Sequence, residues 1–198
     1  VTLNSISDTS ANLATLDAID NAEVTIGTAE VNVLDTVTLA NANTINAYTT
    51  GQVTLTSISD TFANITSIHL LPTSEVTMAD ATVNVTDQVT KTQADAINSY
   101  TTGQVTLNSI SDTSANLATL DALPDSKVMM QMASLTVTDT ATLANANTVN
   151  EFTTNQVTLT SISDTFANIT SIDAINTSEV TMACLLYTSD AADEHSCV

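Results

Sequence analysis

The chain contains no arginine and only two lysines, Lys91 and Lys127, against 22 aspartates and glutamates, for a formal charge of −20 over 198 residues. Nucleic-acid binding requires clustered cations to neutralise phosphates, so this composition excludes it as a partner. An anionic membrane surface is disfavoured for the same reason. Tryptophan is absent and aromatic residues make up 3%. The three glycines, Gly27, Gly51 and Gly103, are too scattered to form a phosphate-cradling loop. No apolar run approaches the roughly 20 residues that a membrane span needs, so membrane insertion is not expected. Both cysteines, Cys184 and Cys197, lie within the last fifteen positions, and the body of the chain has one histidine, His69. Catalysis draws together unlike groups with tuned acidities. No such constellation stands out, and the chain reads as a non-enzyme.

Thr, Ser, Asn, Ala and Val dominate what is present. The alphabet is biased, yet the 43% hydrophobic content places Val, Ile or Leu at short regular intervals, unlike a disordered segment. A strongly acidic surface stays soluble in salty water, where repulsion between charges is screened within about 8 to 10 Å. A saline, extracellular setting fits that charge.

The chain repeats itself. Val1 opens VTLNSISDTSANLATL and Val53 opens VTLTSISDTFANITSI; Val105 repeats the first string and Val157 the second, each start 52 residues after the last. The array spans residues 1–183, in units 1–52, 53–104, 105–156 and a truncated 157–183. It begins within the pattern and carries no recognisable cap, so it is read as a fragment whose targeting segment would lie upstream.

Each unit divides again. An apolar-x-Asp-[Thr/Gln] ending recurs at Asp8, Asp35, Asp60, Asp87, Asp112, Asp139 and Asp164, with spacings alternating between 27 and 25. A quantum of about 26 residues belongs to solenoids whose coils pair one strand with one helix. Before the Asp, the pairs Val31 and Val33, Val83 and Val85, and Leu135 and Val137 alternate with polar residues, as in a half-buried strand. In the other half-unit, Val1 and Leu3 are followed by Ile6 after three residues, a step read as a bulge. After the Asp the period lengthens: Leu39, Ala42, Ile45 and Tyr48 share a helical face, as do Leu143, Ala146, Val149 and Phe152. The second unit keeps Ala94, Ile97 and Tyr100 but has Lys91 first.

The expected fold is therefore an α/β solenoid of strand and short-helix coils, with a parallel sheet on one face. An all-β solenoid is the alternative, because short helices rich in Thr and Asn have poor intrinsic propensity. Stacking predicts an aromatic column of Tyr48, Tyr100 and Phe152, and an aliphatic one of Ile6, Ile58, Ile110 and Ile162.

The recurring Asp stands where strand pattern turns to helix pattern, which makes it a candidate N-cap. A second reading assigns Asp8, Asp35, Asp60, Asp87, Asp112, Asp139 and Asp164 to calcium, since stacked carboxylates repel one another. Calcium takes six to eight oxygens, however, and neither a glycine-rich calcium nonapeptide nor an EF-hand loop is present. A third reading takes Thr2, Thr54, Thr106 and Thr158 as an outward hydroxyl array meeting a regular surface such as ice or polysaccharide. The residue two places on does not hold the pattern, with Asn4 and Asn108 alternating with Thr56 and Thr160. His69 replaces the aspartate found at Asp17, Asp121 and Asp173 and is read as a surface substitution. Asn64, Asn84, Asn168 and Asn176 open Asn-x-Ser/Thr strings, which chance explains in so Asn- and Thr-rich a chain. No cofactor is expected beyond the calcium alternative.

The strings ISDTSANLATL and DTVTLANANTINAYTTGQ resemble the Ser/Thr/Asp-rich repeats of very large cell-surface and secreted proteins of marine bacteria and cyanobacteria. The resemblance covers residues 1–183. It implies an extracellular or cell-surface, adhesin-like role, with contacts to surfaces, glycans, proteins or flanking repeats of the same chain, and it carries over no catalytic residue. From Cys184 onward the repeat stops, and CLLYTSDAADEHSCV resembles translated sequencing-adapter sequence that closes reading frames in metagenomic assemblies. On that reading, Cys184, His195 and Cys197 say nothing about redox or metals. Removing the tail's three carboxylates takes the charge from −20 to −17.

Overall fold

A computed structural model of the chain describes residues 1–19, 23–175 and 179–183. The tail from Cys184, including His195 and Cys197, and the Asn176 string lie outside these residues. The chain forms two compact units, one of residues 1–87, 92–107 and 125–129, the other of 88–91, 108–124 and the residues from 130 onward.

The first unit runs β1 (Ser5–Asp8), α1 (Ser10–Asp17), β2 (Glu30–Val37), α2 (Leu39–Asn46), β3 (Val53–Asp60), α3 (Phe62–His69), β4 (Val76–Thr77) and most of β5 (Thr82–Val89). It also holds nearly all of α4 (Lys91–Tyr100), the start of β6 (Val105–Asp112) and β7 (Val128–Met129). The second unit holds the rest of β6, then α5 (Ser114–Asp121), β8 (Ser134–Ala141), α6 (Leu143–Asn150), β9 (Val157–Ile162), α7 (Phe166–Asp173) and β10 (Val180–Met182). Every strand pairing in both is parallel: β1 with β2, β2 with β3, and β3 with β4 and β5 in the first; β6 with β8, β8 with β9, and β9 with β10 in the second. A parallel neighbour must return through a crossover, and here the crossover contains one short helix. The architecture is an α/β solenoid with two classes of coil. Short coils carry the VTL-x-SISD strand, and long coils the strand that contains Asp35, Asp87 or Asp139.

The two hydrophobic periods build the core. Val31 and Val33 of β2, Val83 and Val85 of β5, and Leu135 and Val137 of β8 are all at most 2% exposed, and their polar alternates face outward. Ala42 and Ile45 of α2, Ala94 and Ile97 of α4, and Ala146 and Val149 of α6 close the core from the helical side. Seven helices form among the described residues, which decides against the all-β alternative. Eight residues of Thr- and Asn-rich sequence do not hold a helix alone. Burial of this alanine and β-branched stripe, together with the caps described below, supplies what propensity lacks.

The three-residue step is real. Val53, Leu55 and Ile58 of β3 are buried, and the β2 to β3 register slips where Val33 pairs Leu55 but Val37 pairs Ile58. Four residues of the long strand thus oppose three of the short one. The same slip separates β8 from β9. The hydroxyls of Thr56 and Thr160 donate to the Val33 and Val137 carbonyls, both at 2.7 Å, satisfying acceptors at the slip.

The expected columns are corrected. Residues 52 apart lie two coils apart, so Ile58 meets Val37 on one side and Val83 on the other, and not another Ile of its set. Tyr48 and Tyr100 are likewise separated by the coil of α3. The ring partner of Tyr100 is His69, stacked with centroids 3.9 Å apart and planes 10° from parallel.

Candidate functional site

The recurring aspartate is not the N-cap. Thr9, Thr38, Thr61, Thr113, Thr142 and Thr165 hold that position, each accepting the amide of the asparagine three residues on. In the long coils that asparagine completes a capping box, with the Thr38 and Thr142 amides donating to Asn41 and Asn145 at 3.1 and 3.0 Å.

The aspartates act between coils. Six of the seven take the first amide of the helix in the preceding coil: Asp35 from Ser10 at 2.7 Å, Asp60 from Leu39 at 2.9 Å and Asp87 from Phe62 at 2.8 Å. Asp112 does so from Lys91 at 2.8 Å, Asp139 from Ser114 at 2.8 Å and Asp164 from Leu143 at 2.9 Å. A helix N-terminus presents unsatisfied N–H groups and the positive end of its dipole, and a carboxylate suits both. The sequence reading thus had the right chemistry but assigned it to the wrong helix.

The two coil classes use the carboxylate differently. In short coils one oxygen serves its own coil: Oδ1 of Asp60 accepts the Thr61 amide and the Asn64 side-chain amide, both at 2.8 Å, while Oδ2 reaches back to Leu39. Asp112 and Asp164 repeat this division. In long coils both oxygens reach back, since Asp35 takes the Ser10 amide and hydroxyl, and Asp139 those of Ser114. Asp87 meets Phe62, which has no hydroxyl to offer.

These bonds set the acidities. Burial pushes Asp60 up, but the Leu39 amide, the Asn64 side chain and the Thr61 amide together pull it below the ordinary 3.8. Asp35 and Asp112 show the same contest, with Ser10 lowering the first, and Asn116, the Lys91 and Thr113 amides and the Lys91 charge lowering the second. Asp164 is lowered chiefly by the Leu143 amide. Asp8 is lowered chiefly by Asn12 and then Thr9, against burial and the charge of Asp35.

A group whose folded acidity is depressed contributes stability above its unfolded pKa, and that contribution disappears as pH falls through the folded value. The stability gap between the chain and an Asp60→Asn variant should therefore be constant from pH 7 to about 5 and narrow below about pH 4. Urea titrations at stepped pH measure it; a gap unchanged at pH 2.5 would mean that the Asp60 charge contributes nothing.

Among the described residues, no three His, Cys, Asp or Glu side chains come together as metal ligands do. The calcium candidates Asp8, Asp35, Asp60 and Asp87 in the first unit, and Asp112, Asp139 and Asp164 in the second, stand one per coil, each already facing N–H donors. His69 is exposed at the end of α3, where its ring covers Tyr100. An aspartate at that helix end opposes the dipole, and His69 removes that opposition. The side-chain amides of Asn64 and Asn168 are bound to Asp60 and Asp164, and that of Asn84 to Ser59, so these three acceptor strings are engaged within the fold. Thr54 and Thr158 face outward; the row through Thr54 mixes the Asn32 amide with the Thr77 hydroxyl, whereas Thr158 lies between Thr136 and Thr181.

One set of residues escaped the sequence reading. Thr49, Thr101 and Thr153 are the buried polar residues among those described. Each donates its hydroxyl at 2.6 Å to the carbonyl of Ala29, Ala81 or Ala133, and each accepts the amide two residues on, from Gly51, Gly103 or Asn155. A Cβ on Gly51 or Gly103 would press into the Ala29 or Ala81 carbonyl oxygen, which explains glycine there. The Thr-Thr-[Gly/Asn]-Gln string, repeated every 52 residues, was the available signal.

Compared with known protein families, with curated proteins and with solved structures, the chain matches none of them.

Proposed function

We propose that residues 1–183 are a structural and adhesive repeat module of a large extracellular or cell-surface bacterial protein. The observation that carries this reading is where the recurring polar residues are used. Asp, the capping Thr, its Asn and the buried Thr are engaged in holding one coil to the next or in capping its helix. What the repeat maintains is the stack, and a long stack offers many weak contacts whose avidity exceeds that of any one. An extracellular, saline setting accords with a charge that salt screens.

The test is a set of melts of residues 1–183 with calcium, with chelator and with sodium chloride at matched ionic strength. A scaffold should respond equally to both salts. A large rise in Tm specific to calcium would replace this reading with calcium-holding carboxylate columns.

A second reading has its own support. The outer faces of β2, β3 and β5 carry Asn32, Thr36, Thr54, Ser57, Thr82 and Asn84, with Thr36 and Ser57 hydroxyls in contact at 2.9 Å. Such uncharged rows suit a regular hydroxyl-bearing surface, polysaccharide or ice. Glycan-array binding or inhibition of ice recrystallisation would favour it, and silence in both assays would remove it.

A further inference from the structure

Three residues that break the repeat's own pattern gather at one place on the rim of the first unit. His69 stands where the other repeats have Asp17, Asp121 and Asp173, Leu70 where they have Ala18, Ala122 and Ala174, and Lys127 where they have Glu23, Glu75 and Glu179. They come from two coils and meet at the end of α4, in the coil between. His69 stacks on Tyr100 with centroids 3.9 Å apart, and the Lys127 ammonium donates to the carbonyl of Thr102, two residues further along, at 2.9 Å. His69, Leu70, Thr102 and Lys127 are all exposed, Leu70 by 74%. Leu70 and Lys127 do little for the fold. Asn46 donates to Glu75 at 3.4 Å, but with Lys127 in that glutamate's place Oδ1 of the matching Asn98 is buried without a partner. What the exchanges alter is the chemistry of the rim: one removes a negative charge and another turns one positive, in a chain that has two lysines against 22 acids. Among the described residues Lys127 forms no ion pair, so its ammonium keeps donors for a ligand.

We propose that His69, Leu70, Tyr100 and Lys127 form a binding site for a single uronate unit of an otherwise neutral glycan. The uronate carboxylate pairs with Lys127, and the apolar face of the sugar ring lies against Leu70 and the His69 imidazole, which Tyr100 backs. This rests on the adhesive reading above and gives it a ligand class. A flat ring with one apolar face and one acid group matches a stacked ring pair beside one ammonium. A polyanion does not match, because the many carboxylates of the chain repel it, whereas a lone charge feels mainly the cation within a screening length. Asp80, which accepts the Thr102 hydroxyl at 2.6 Å, is an opposing charge at the edge of the site.

Titration of the full chain followed by NMR tests this, with a xylo-oligosaccharide that carries one glucuronate as the probe and the unsubstituted xylo-oligosaccharide as its control. At low salt the uronate probe should bind about tenfold more tightly than the control, and the advantage should shrink as salt screens the pair. Lys127→Glu and His69→Asp should each remove most of that preference. Both variants restore residues that the same fold already carries at Glu75 and Asp121, so a loss of binding is not a loss of folding. Asp80→Asn should tighten the uronate probe by about twofold, since a like charge leaves the edge of the site. Equal binding of the two saccharides, or a preference that survives both Lys127→Glu and His69→Asp, would overturn the site. Tighter binding of an oligoglutamate than of the uronate probe would overturn the glycan and reassign the site to an acidic protein. The calcium and sodium chloride melts judge the module separately: an equal response to the two salts with no uronate binding would remove this site and leave the scaffold standing.

Discussion

Replacing Asp60 by alanine should destabilise the chain by about 3 kcal/mol, since charge-assisted hydrogen bonds contribute about 1.5–3 kcal/mol each and one carboxylate here serves three donors. The donors belong to two coils: the Leu39 amide of the coil before, and the Thr61 amide and Asn64 side chain of its own. The half-buried position lets water recover part of the loss, which is why the three bonds are not simply summed. Asparagine at this place is no substitute. Its single carbonyl oxygen can face Thr61 and Asn64 or face Leu39, and whichever side it leaves meets an NH₂ group, donor against donor. Asp60→Asn should therefore cost about 2 kcal/mol, more than an isosteric exchange at an exposed site. Asp80, in an exposed turn where it accepts only the Thr102 hydroxyl among the described bonds, is the control, and Asp80→Ala should stay within about 0.5 kcal/mol. Urea unfolding of the three variants decides it. An Asp60→Ala cost no greater than that of Asp80→Ala would mean that the ladder does not hold the coils together.

The strands, the helices and their 26-residue alternation were legible because they are local. Val31 and Val33, or Ala42 and Ile45, declare their element by spacing alone, and β-branched residues at period two have few other uses. What was not legible is what passes from coil to coil. The spacing of Asp60 says that it precedes Thr61 and a helix, but nothing in one dimension says that Leu39, 21 residues back, lies beside its other oxygen. The error over Tyr48 and Tyr100 has the same origin. A 52-residue identity is the strongest signal in the sequence, yet the unit of stacking is half as long, so the residues most alike are those that do not meet. The slip between Val33 and Val37 was visible only from one side, as the step from Leu55 to Ile58. Its partner strand carries Asp35 between Val33 and Val37, which reads as a polar position and not as a slip.

Thr101 shows most sharply how a residue that looks like surface in the sequence can be structural. In a chain so rich in threonine, the first residue of Thr101-Thr102 invites no attention, and yet Thr101 is 5% exposed while Thr102 is not buried. Its hydroxyl donates to the Ala81 carbonyl at 2.6 Å and accepts the Gly103 amide at 3.0 Å, joining two successive turns where the backbone approaches too closely for a Cβ on Gly103. Valine has the same shape and no hydroxyl. Thr101→Val should thus keep the packing and leave a buried carbonyl and amide without that partner, at a cost of about 2–3 kcal/mol, whereas Thr101→Ser should cost about 1 kcal/mol, having lost one methyl but kept the bonds. Thr102→Val, at the adjacent exposed position, should move stability by about 0.5 kcal/mol or less. The order of the three separates bonding from packing: if Thr101→Val proved as stable as the parent and Thr101→Ser less so, shape alone would account for the burial. The reverse order would establish the hydroxyl as the link between turns, so that the repeat relies on a neutral bond at one end of its strands as well as a charged one at the other.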